Sequence, residues 1–422
     1  MSSLSNLLKY VKENVSFYND YIQNHLLQNE SSELTQEIFR RLPIVSKQDI
    51  KSSYEYFLSK EILQYNIKDI LSLNRDFNKE YQHNFPDFSV VVEYTSGSSG
   101  VPFASLKTTS ERLLLGRNLW KLRNGISPAR PNDCFYFIHT FKDNLYPFPF
   151  QEPKIEKDKI EKEINFLMKD KNSWWHINGY ILNYYYNYLK ENSITFKFNN
   201  LKVIENNGSY ISDEEKKLYS NFFSCNVVNN YGSREVWGIA YDCSYGYLHV
   251  NEEFIILELI DDEGQIIEET GVVGSVVITS LKQEIMPFIR YRLNDNATYI
   301  EGRCLCGRKS KRINLIPDRN MIYGTDLYGN TVFKDIISYL SLQYKITNYH
   351  SISVLQTDIN NFIVNIRGNK ENKEFLENAF IDSVNFVLNK KEYKFSFSYN
   401  EKINSKSLFQ LKINSCENSI LR

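Results

Sequence analysis

The chain has 422 residues, with 50 Lys and Arg set against 51 Asp and Glu, and a formal net charge of −1. That length provides material for two or three domains of about 150 residues each. The even charge balance excludes a dedicated nucleic-acid binder, which carries a basic excess. No apolar run approaches the ~18–20 residues of a membrane span; FIILELI (254–260) has the length of a strand.

The N-terminal stretch MSSLSNLLKYVKENVSFY alternates polar and apolar residues at helical spacing and lacks the apolar core of a signal peptide. The expectation is a cytoplasmic protein, whose cysteines (Cys134, Cys225, Cys243, Cys304, Cys306 and Cys416) are thiols or metal ligands and not a disulfide framework. Residues 1–60 carry helical patterns, and SKQD (46–49) is a helix-start signal before IKSSYEYFL.

Next, VEYTSGSSGVPFASLKTT (92–109) is an apolar run that breaks into small residues. A loop of Thr, Ser and Gly between a strand and a helix lets backbone N–H groups and hydroxyls surround a phosphate, which bulky side chains would block. No G-K-[ST] follows TSGSSG, so it is not a Walker loop. Thr108 and Glu111 form a capping box for the helix SERLLLGRNLWKLRN, which stops at Gly125.

CFYFIHTF (134–141) reads as a buried strand, and the doubly charged PKIEKDKIEKEINFLMKDK (153–171) as an exposed helix or insertion. NGYILNYYYNYLKEN (178–192) predicts a helix, LKVIEN (201–206) a strand, SDEEKKLYSNFF (212–223) a capped helix and NVVNNYG a strand. This alternation predicts an α/β sheet to about residue 240. Beyond it the pattern is strands and turns: EFIILELI, a turn at DDEG (261–264), GSVVITSL and FIRYRL. The last hundred residues mix the strands SISVL, NFIVNIR and KFSFSY with one helix. NLIPDRN (314–320) interrupts the apolar pattern, so the expected domains are 1–317 and 318–422.

Two cysteine-bearing stretches have metal-ligand spacing. Cys243 and His249 flank SYGYL, and Cys304 and Cys306 bracket one residue ahead of Gly307. Alternate strand residues share a face, so C-x-C can present both thiolates together. Three thiolates and an imidazole make a closed set of the kind that holds a structural Zn²⁺. The alternative is two unrelated cysteine pairs.

TSGSSG together with four further stretches, LPIVSKQDI (42–50), NNYGSRE (229–235), MPFIRYRLND (286–295) and CLCGR (304–308), resembles the ordered elements of the AMP-forming acyl- and aryl-adenylate ligases. The first and last of those four are similar to the phenylacetate–coenzyme A ligase-like, capsule-biosynthesis-type branch, in which a Cys-and-His segment tends to accompany the C-x-C-G. The resemblance implies an α/β fold: a large N-terminal adenylate-forming domain with mixed sheets and flanking helices, plus a small mobile α+β C-terminal domain. It implies activation of a carboxylic acid by ATP to an acyl- or aryl-adenylate, then transfer to a thiol (coenzyme A or a carrier protein) or to an amine.

The residue roles follow from the same resemblance. Thr95, Ser96, Gly97, Ser98, Ser99 and Gly100 would hold the β- and γ-phosphates, and Glu235 would bind Mg²⁺. Asp295 would accept from the ribose hydroxyls. Tyr231 would stack on adenine, with Asn230, Gly208, Ser209, Gly232 and Ser233 lining the slot. Arg308 and Arg319 join the nucleotide-binding set, and Arg292 joins Glu235 in the catalytic one. NSKSLFQLKI (404–413) resembles the terminal G-K-x-x-R element, which gives Lys406, with Lys412 as competitor, contact to the α-phosphate and the attacking carboxylate.

Several positions depart from the pattern. Asn294 replaces the glycine before Asp295, Phe103 follows Pro102 where many relatives have lysine, DRNMI keeps only Arg319 of the hinge, and Ser405 replaces the glycine before Lys406. These departures support a second reading, a non-catalytic module that keeps the fold to bind a nucleotide or a partner. His139 and Trp237 are acyl-side or core residues, RKSKR (308–312) is a solvated face or a coenzyme contact, and Cys416 is a terminal thiol that could accept an acyl group.

Overall fold

The computed structural model describes residues 3–26, 36–71, 81–95, 103–128, 133–138, 164–165, 173–191, 193–194, 201–208, 211–316, 349–358, 361–368, 373–388, 393–399 and 409–413. The N-terminal region is a set of short helices: α1 (Ser3–Asn14), α2 (Ser16–Tyr21), α3 (Gln36–Arg41), α4 (Lys47–Ser52), α5 (Lys60–Leu63) and α6 (Ile67–Ile70). α4 starts where SKQD placed a start. Asp49 N–H donates to Ser46 Oγ at 3.2 Å, and Ser46 N–H donates to the Asp49 carboxylate at 2.8 Å.

The chain continues through β1 (Tyr81–Asn84), β2 (Ser89–Thr95), β3 (Phe103–Thr108), α7 (Thr109–Asn124), β4 (Phe135–Ile138), β5 (Ser173–Ile177), α8 (Gly179–Glu191), β6 (Leu201–Asn207) and α9 (Asp213–Phe223). Then come β7 (Asn226–Ser233), β8 (Trp237–Asp242), β9 (Leu248–Val250), β10 (Ile255–Ile260), β11 (Ile266–Ile267), β12 (Gly274–Ser280), β13 (Tyr291–Tyr299) and β14 (Arg312–Ile316). The last described elements are β15 (Tyr349–Asp358), β16 (Asn361–Gly368), α10 (Lys373–Leu388), β17 (Lys394–Tyr399) and β18 (Phe409–Ile413).

Two compact units divide the chain. The first takes Met1–Thr95, Phe103–Ala129 and Asn229–Ile316. It holds the three-stranded sheet β1-β2-β3 and the strand run β11-β10-β12-β13-β14-β9-β8-β7, in which neighbours pair antiparallel. Short turns suffice for antiparallel neighbours, and the one at DDEG is typical. Gly264 adopts φ +82, and Gln265 N–H donates to Asp261 Oδ1 at 2.7 Å.

One expectation is corrected here. The small-residue loop joins two strands, not a strand to a helix: Thr95 pairs with Phe103 in the β2–β3 hairpin, and α7 begins only after Thr108. The reason is the alternation of FASLKT. Ala104 and Leu106 share a face with Val90, Val92 and Tyr94 and pack in one apolar cluster, while Ser105 and Lys107 fall on the opposite face with Glu93. Thr108 and Glu111 then make the expected capping box.

The N-terminal helices dock on the same unit. Leu7, Leu8, Val11, Val15, Tyr18, Phe39 and Leu42 cluster around Ile289, each burial contributing about 1.5–3 kcal/mol for the larger aliphatics. Tyr18 O–H donates to the Ile289 carbonyl at 3.4 Å. Val45 pairs by its backbone with the start of β13: its N–H donates to Arg290 O at 2.9 Å and its carbonyl accepts from Arg292 N–H at 2.8 Å. Arg290 itself is buried, with its Nε on Glu258 at 3.2 Å and Nη1 on the carbonyls of Arg40 and Leu42.

The second unit includes Arg130–Val228 and Pro317–Arg422. β4, β5 and β6 are parallel, and parallel strands need a crossover, which α8 supplies between β5 and β6. The four-stranded sheet β17-β16-β15-β18 belongs to this unit too. Trp175, Tyr185, Leu189 and Tyr219 share a single hydrophobic cluster with Phe362, Val364 and Phe380. No helix among the described residues is long and apolar enough to cross a membrane.

Candidate functional site

Glu235 sits in the tight turn between β7 and β8. The two strands meet so closely that a Cβ on Gly232 would lie 2.1 Å from the Trp237 carbonyl oxygen, so only glycine fits there. Trp237 closes the turn with φ +63, a left-handed conformation that a tryptophan adopts only under constraint. The turn carries Glu235 into the protein, where it is 3% exposed.

Three groups hold it. Lys47 Nζ lies 2.9 Å from Glu235 Oε1, and Tyr291 O–H donates to the same oxygen at 3.3 Å. Gln283 Nε2 donates to the Glu235 main-chain carbonyl at 2.8 Å. Burial alone would raise the carboxyl's pKa, but the charge and hydrogen bond of Lys47 outweigh it and hold Glu235 below the usual carboxylate range. Lys47 reaches this point because the Val45 backbone is paired beside Tyr291.

A second buried ionic group stands at the root of the TSGSSG hairpin. Glu93, 2% exposed, receives Lys107 Nζ at 2.9 Å, Arg112 Nε at 3.0 Å and the Trp237 indole N–H at 3.0 Å. Lys107 is fully buried and also donates to Ser105 Oγ at 3.1 Å and to the Arg234 carbonyl at 2.7 Å. Burial pushes the Glu93 carboxyl up, and Lys107, Trp237 and Arg112 together bring it below its ordinary value. This network ties β2 and β3 to the turn that bears Glu235.

Asp295, on β13, accepts a hydrogen bond from Tyr231 O–H at 3.0 Å, so these two nucleotide candidates are brought together. Tyr231 is buried, and burial followed by the Asp295 charge pushes its hydroxyl well above the ordinary range. Asn230 is buried beside it in β7, and Ser233 ends that strand. Arg292 is exposed on β13 opposite Val277. Arg308 is half-buried, with its guanidinium against Gly125 at the end of α7. In the second unit, Gly208 follows β6 with φ +86, and Lys412 lies in β18 opposite Leu355. Ser96, Gly97, Ser98, Ser99, Gly100, His139, Ser209, Arg319, Lys406 and Cys416 lie outside the described residues.

Cys243, His249, Cys304 and Cys306 converge, their ligand atoms all within 4.8 Å of one another. Cys243 Sγ is 3.7 Å from Cys304 Sγ, and Cys306 Sγ is 3.3 Å from His249 Nε2. A tetrahedron with metal–sulfur bonds of about 2.3 Å and metal–nitrogen bonds of about 2.0 Å has edges of roughly 3.8 and 3.5 Å. These two spacings are close to the corresponding edges of such a tetrahedron. The other ring nitrogen, Nδ1, is 3.2 Å from Ser310 Oγ, a contact that orients the imidazole. Burial and then the Arg308 charge lower the His249 pKa, which favours the neutral, ligating form.

Lys47, Glu93 and Lys107 were not singled out by sequence reasoning. In the sequence Lys47 belongs only to a helix start, and Lys107 carries no local signal because its carboxylate partner lies on β2 and its carbonyl acceptor in the β7–β8 turn. A cleft of about 750 Å³ runs along α7, with Arg112, Leu113, Gly116, Arg117, Trp120 and Trp237 among its walls, so Trp237 is both a wall and a hydrogen-bond partner. In the second unit, buried His176 bonds through Nδ1 to Glu205 at 2.8 Å and through Nε2 to Asn207 at 3.1 Å.

No protein-family model matches the chain, and no curated protein matches it either. Solved structures do. A 2-hydroxyisobutyryl-CoA ligase in complex with 2-HIB-AMP and CoA, in the thioesterification state, superposes with a TM-score of 0.60 at 17% identity, covering 98% of this chain and 88% of that one. The same ligase in the postadenylation state with R3-HIB-AMP gives 0.58 at 16% identity, covering 98% and 88%. Its open conformation gives 0.54 at 16%, covering 96% and 89%. The shared property is the fold: a mixed α/β structure with a large sheet and flanking helices.

Proposed function

We propose that the chain is an AMP-forming ligase that activates a carboxylic acid with ATP and passes the acyl group to a thiol or an amine. The observation that carries this reading is the grouping in one unit of an ionised, buried Glu235, the Tyr231–Asp295 pair and the root of the small-residue hairpin, on a fold shared with a ligase that holds an acyl-adenylate. That solved ligase also holds CoA, which favours a thiol acceptor, coenzyme A or a carrier protein, over an amine. The order of the quoted elements supports the phenylacetate–coenzyme A ligase-like branch.

The physical difficulty of the reaction is that an anionic carboxylate must approach an anionic triphosphate. The acid oxygen bonds to the α-phosphorus, the bond to the β-phosphate bridge breaks, and pyrophosphate leaves; the thiol or amine then displaces AMP from the acyl carbon. Alignment and charge neutralisation supply most of the catalysis. Thr95–Gly100 contribute backbone N–H groups and hydroxyls to the β- and γ-phosphates. Asp295 accepts from the ribose hydroxyls while Tyr231 fixes its orientation. Tyr231 and Asn230 line the adenine slot, and Arg292 and Arg308 add positive charge. Gly208, Ser209 and Arg319 belong to the nucleotide-binding set that the resemblance implies, which also gives Lys406, with Lys412 as competitor, the role of cation at the α-phosphate.

Glu235 fits a magnesium ligand, because Mg²⁺ takes one or two carboxylates and completes its shell with substrate phosphates and water. Held by Glu235, such an ion would supply positive charge that offsets the repulsion among the phosphate oxygens. The test is acid-dependent ATP–pyrophosphate exchange across a panel of aryl, fatty and amino acids, with AMP as nucleotide product. Formation of ADP would overturn the AMP-forming mechanism, and nucleotide binding with no exchange for any acid would favour the non-catalytic module instead.

Cys243, His249, Cys304 and Cys306 hold a structural Zn²⁺ in this reading, since four protein ligands leave no open position for chemistry. The ion joins the segment after β8 to the segment between β13 and β14 and braces the nucleotide site from outside. Elemental analysis should give close to one zinc per chain. Cys304→Ser should lose the metal and lower Tm by several degrees, and a metal-free wild-type protein with four titratable thiols at these positions would overturn the assignment.

A further inference from the structure

The two turns that carry the Cys and His cluster also carry apolar side chains to the surface. Gly246 N–H donates to the Cys243 carbonyl at 2.8 Å, which leaves Ser244 and Tyr245 at the head of one turn. Gly307 N–H donates to the Cys304 carbonyl at 3.1 Å, which leaves Leu305 and Cys306 at the head of the other. Leu305 is 83% exposed, the most exposed large apolar side chain among the described residues, and Tyr245 and Tyr247 are exposed on the first turn. Cys243 and Cys304 are buried, their sulfurs 3.7 Å apart, so the two turns form one tip.

The rim of this tip is cationic. RCLCGRKSKR (303–312) holds five cations and no acid, in a chain whose net charge is −1. Arg303 and Lys309 are exposed, and the Arg312 guanidinium lies 5.0 Å over the Tyr247 ring. The exposed acids that flank the two segments, Glu252 and Glu301, leave the balance positive. Tyr and Arg around an apolar centre is the composition of a protein-binding hot spot, and turns fixed by backbone hydrogen bonds lose little freedom on binding. A second copy of the chain fits badly, because a two-fold contact would set the cations against one another. A nucleic acid also fits badly: Leu305 offers neither a stacking face nor a hydrogen bond, and Arg312 already covers one face of Tyr247. A lipid surface rewards a continuous apolar face, which one leucine beside two tyrosines does not make. An acidic protein with an apolar centre matches both the tip and its rim.

We propose that this tip docks an acidic protein that bears the acceptor thiol, so that a carrier protein and not free coenzyme A receives the acyl group. The acceptor role rests on the ligase reading given above. β8 runs from the turn of Glu235 to the residue before Cys243, about 20 Å of extended strand, so the tip lies one strand length from that turn. A protein held there keeps its thiol at high local concentration on a flexible arm, without itself entering the nucleotide site. In the transfer the thiol sulfur bonds to the acyl carbon and the bond from that carbon to the phosphate oxygen breaks. AMP leaves, and the thiol proton goes to water.

The experiment titrates a purified acidic acyl carrier protein into the full chain, first without and then with its phosphopantetheine arm. Docking of the armless protein, read by fluorescence anisotropy, should saturate at low salt and weaken as ionic strength passes about 0.15 M. Leu305→Ser and Arg303→Glu should each weaken it by about tenfold, at unchanged Tm and metal content. In acyl transfer both variants should raise the KM for the armed carrier while its kcat and ATP–pyrophosphate exchange stay as in wild type. No saturable binding, or full affinity in both variants, would overturn the proposal. So would binding of a single-stranded oligonucleotide or of phosphatidylserine vesicles, or self-association, that these variants abolish while the carrier is ignored. Transfer to coenzyme A with none to the docked carrier would overturn the acceptor role. Exchange without carrier binding sinks this inference alone. Carrier docking that both variants weaken, with no exchange for any acid, sinks the ligase reading and leaves the docking surface standing.

Discussion

Glu235→Gln should lower acid-dependent ATP–pyrophosphate exchange by roughly 10²–10³-fold, the scale seen when one electrostatic contact to a transition state is removed. Glutamine keeps the shape and can still accept from Tyr291 and Lys47, so the turn should keep its place. What it loses is the charge that a metal needs. The stability change should be modest, about 1–2 kcal/mol, because Lys47 is partly solvated and is not left as a fully buried unpaired charge. The pH dependence has a definite sign. Since Glu235 is held below the usual carboxylate range, the ion pair stabilises the protein above the ordinary glutamate pKa and is lost as pH falls through the folded value. The gap in stability between wild type and Glu235→Gln should therefore close in acid. Full exchange activity in the variant would place the metal elsewhere.

Lys107→Met is expected to be the most destabilising single change, by about 3–5 kcal/mol, because it strands a buried carboxylate and releases the Arg234 carbonyl. Arg112 and Trp237 still contact Glu93, which argues for the lower end of that range. At about 2–4 °C per kcal/mol for a unit of this size, Tm should fall by roughly 10 °C. Glu93→Gln in the same background should restore part of the loss, since the stranded charge is then gone. A double variant less stable than Lys107→Met would mean that the carboxylate is satisfied without the lysine. Exchange activity should also fall in folded Lys107→Met, since Lys107 connects the hairpin root to the turn of Glu235.

The features legible in the sequence are those whose physics is local. The capping boxes at Ser46/Asp49, Thr108/Glu111 and Ser212/Glu215 all form where the spacing places them. The DDEG turn forms because Asp and Gly suit it, whatever lies around it. The convergence of Cys243, His249, Cys304 and Cys306 was legible in part, because each pair is local and the chemistry of the four ligands is shared. β3 was not legible. FASLKT carries a buried lysine and two hydroxyl residues, and only pairing with β2 makes it a strand. Lys47 was hidden for a related reason: its partner Glu235 is brought near by the bridge between Val45 and Tyr291, a contact with no trace in the residues around position 47.

That bridge, together with the docking of Leu8, Val11 and Tyr18 on Ile289, bears on how the chain acquires its structure. The Tyr18–Ile289 hydrogen bond spans 271 positions. A nascent chain emerges N-terminus first, so the apolar face of α1 and α2 is made early while the surface that covers it is made late. Contacts of such separation close slowly, and until they do the unburied face is available to other chains. Glu235 and Lys47 are subject to the same delay, because Lys47 comes into reach only once β13 has captured Val45. The expected order therefore puts the meeting of the candidate metal carboxylate with its cation late in the folding of this unit, and a chain that stalls before it would hold its early helices without the partner that completes them.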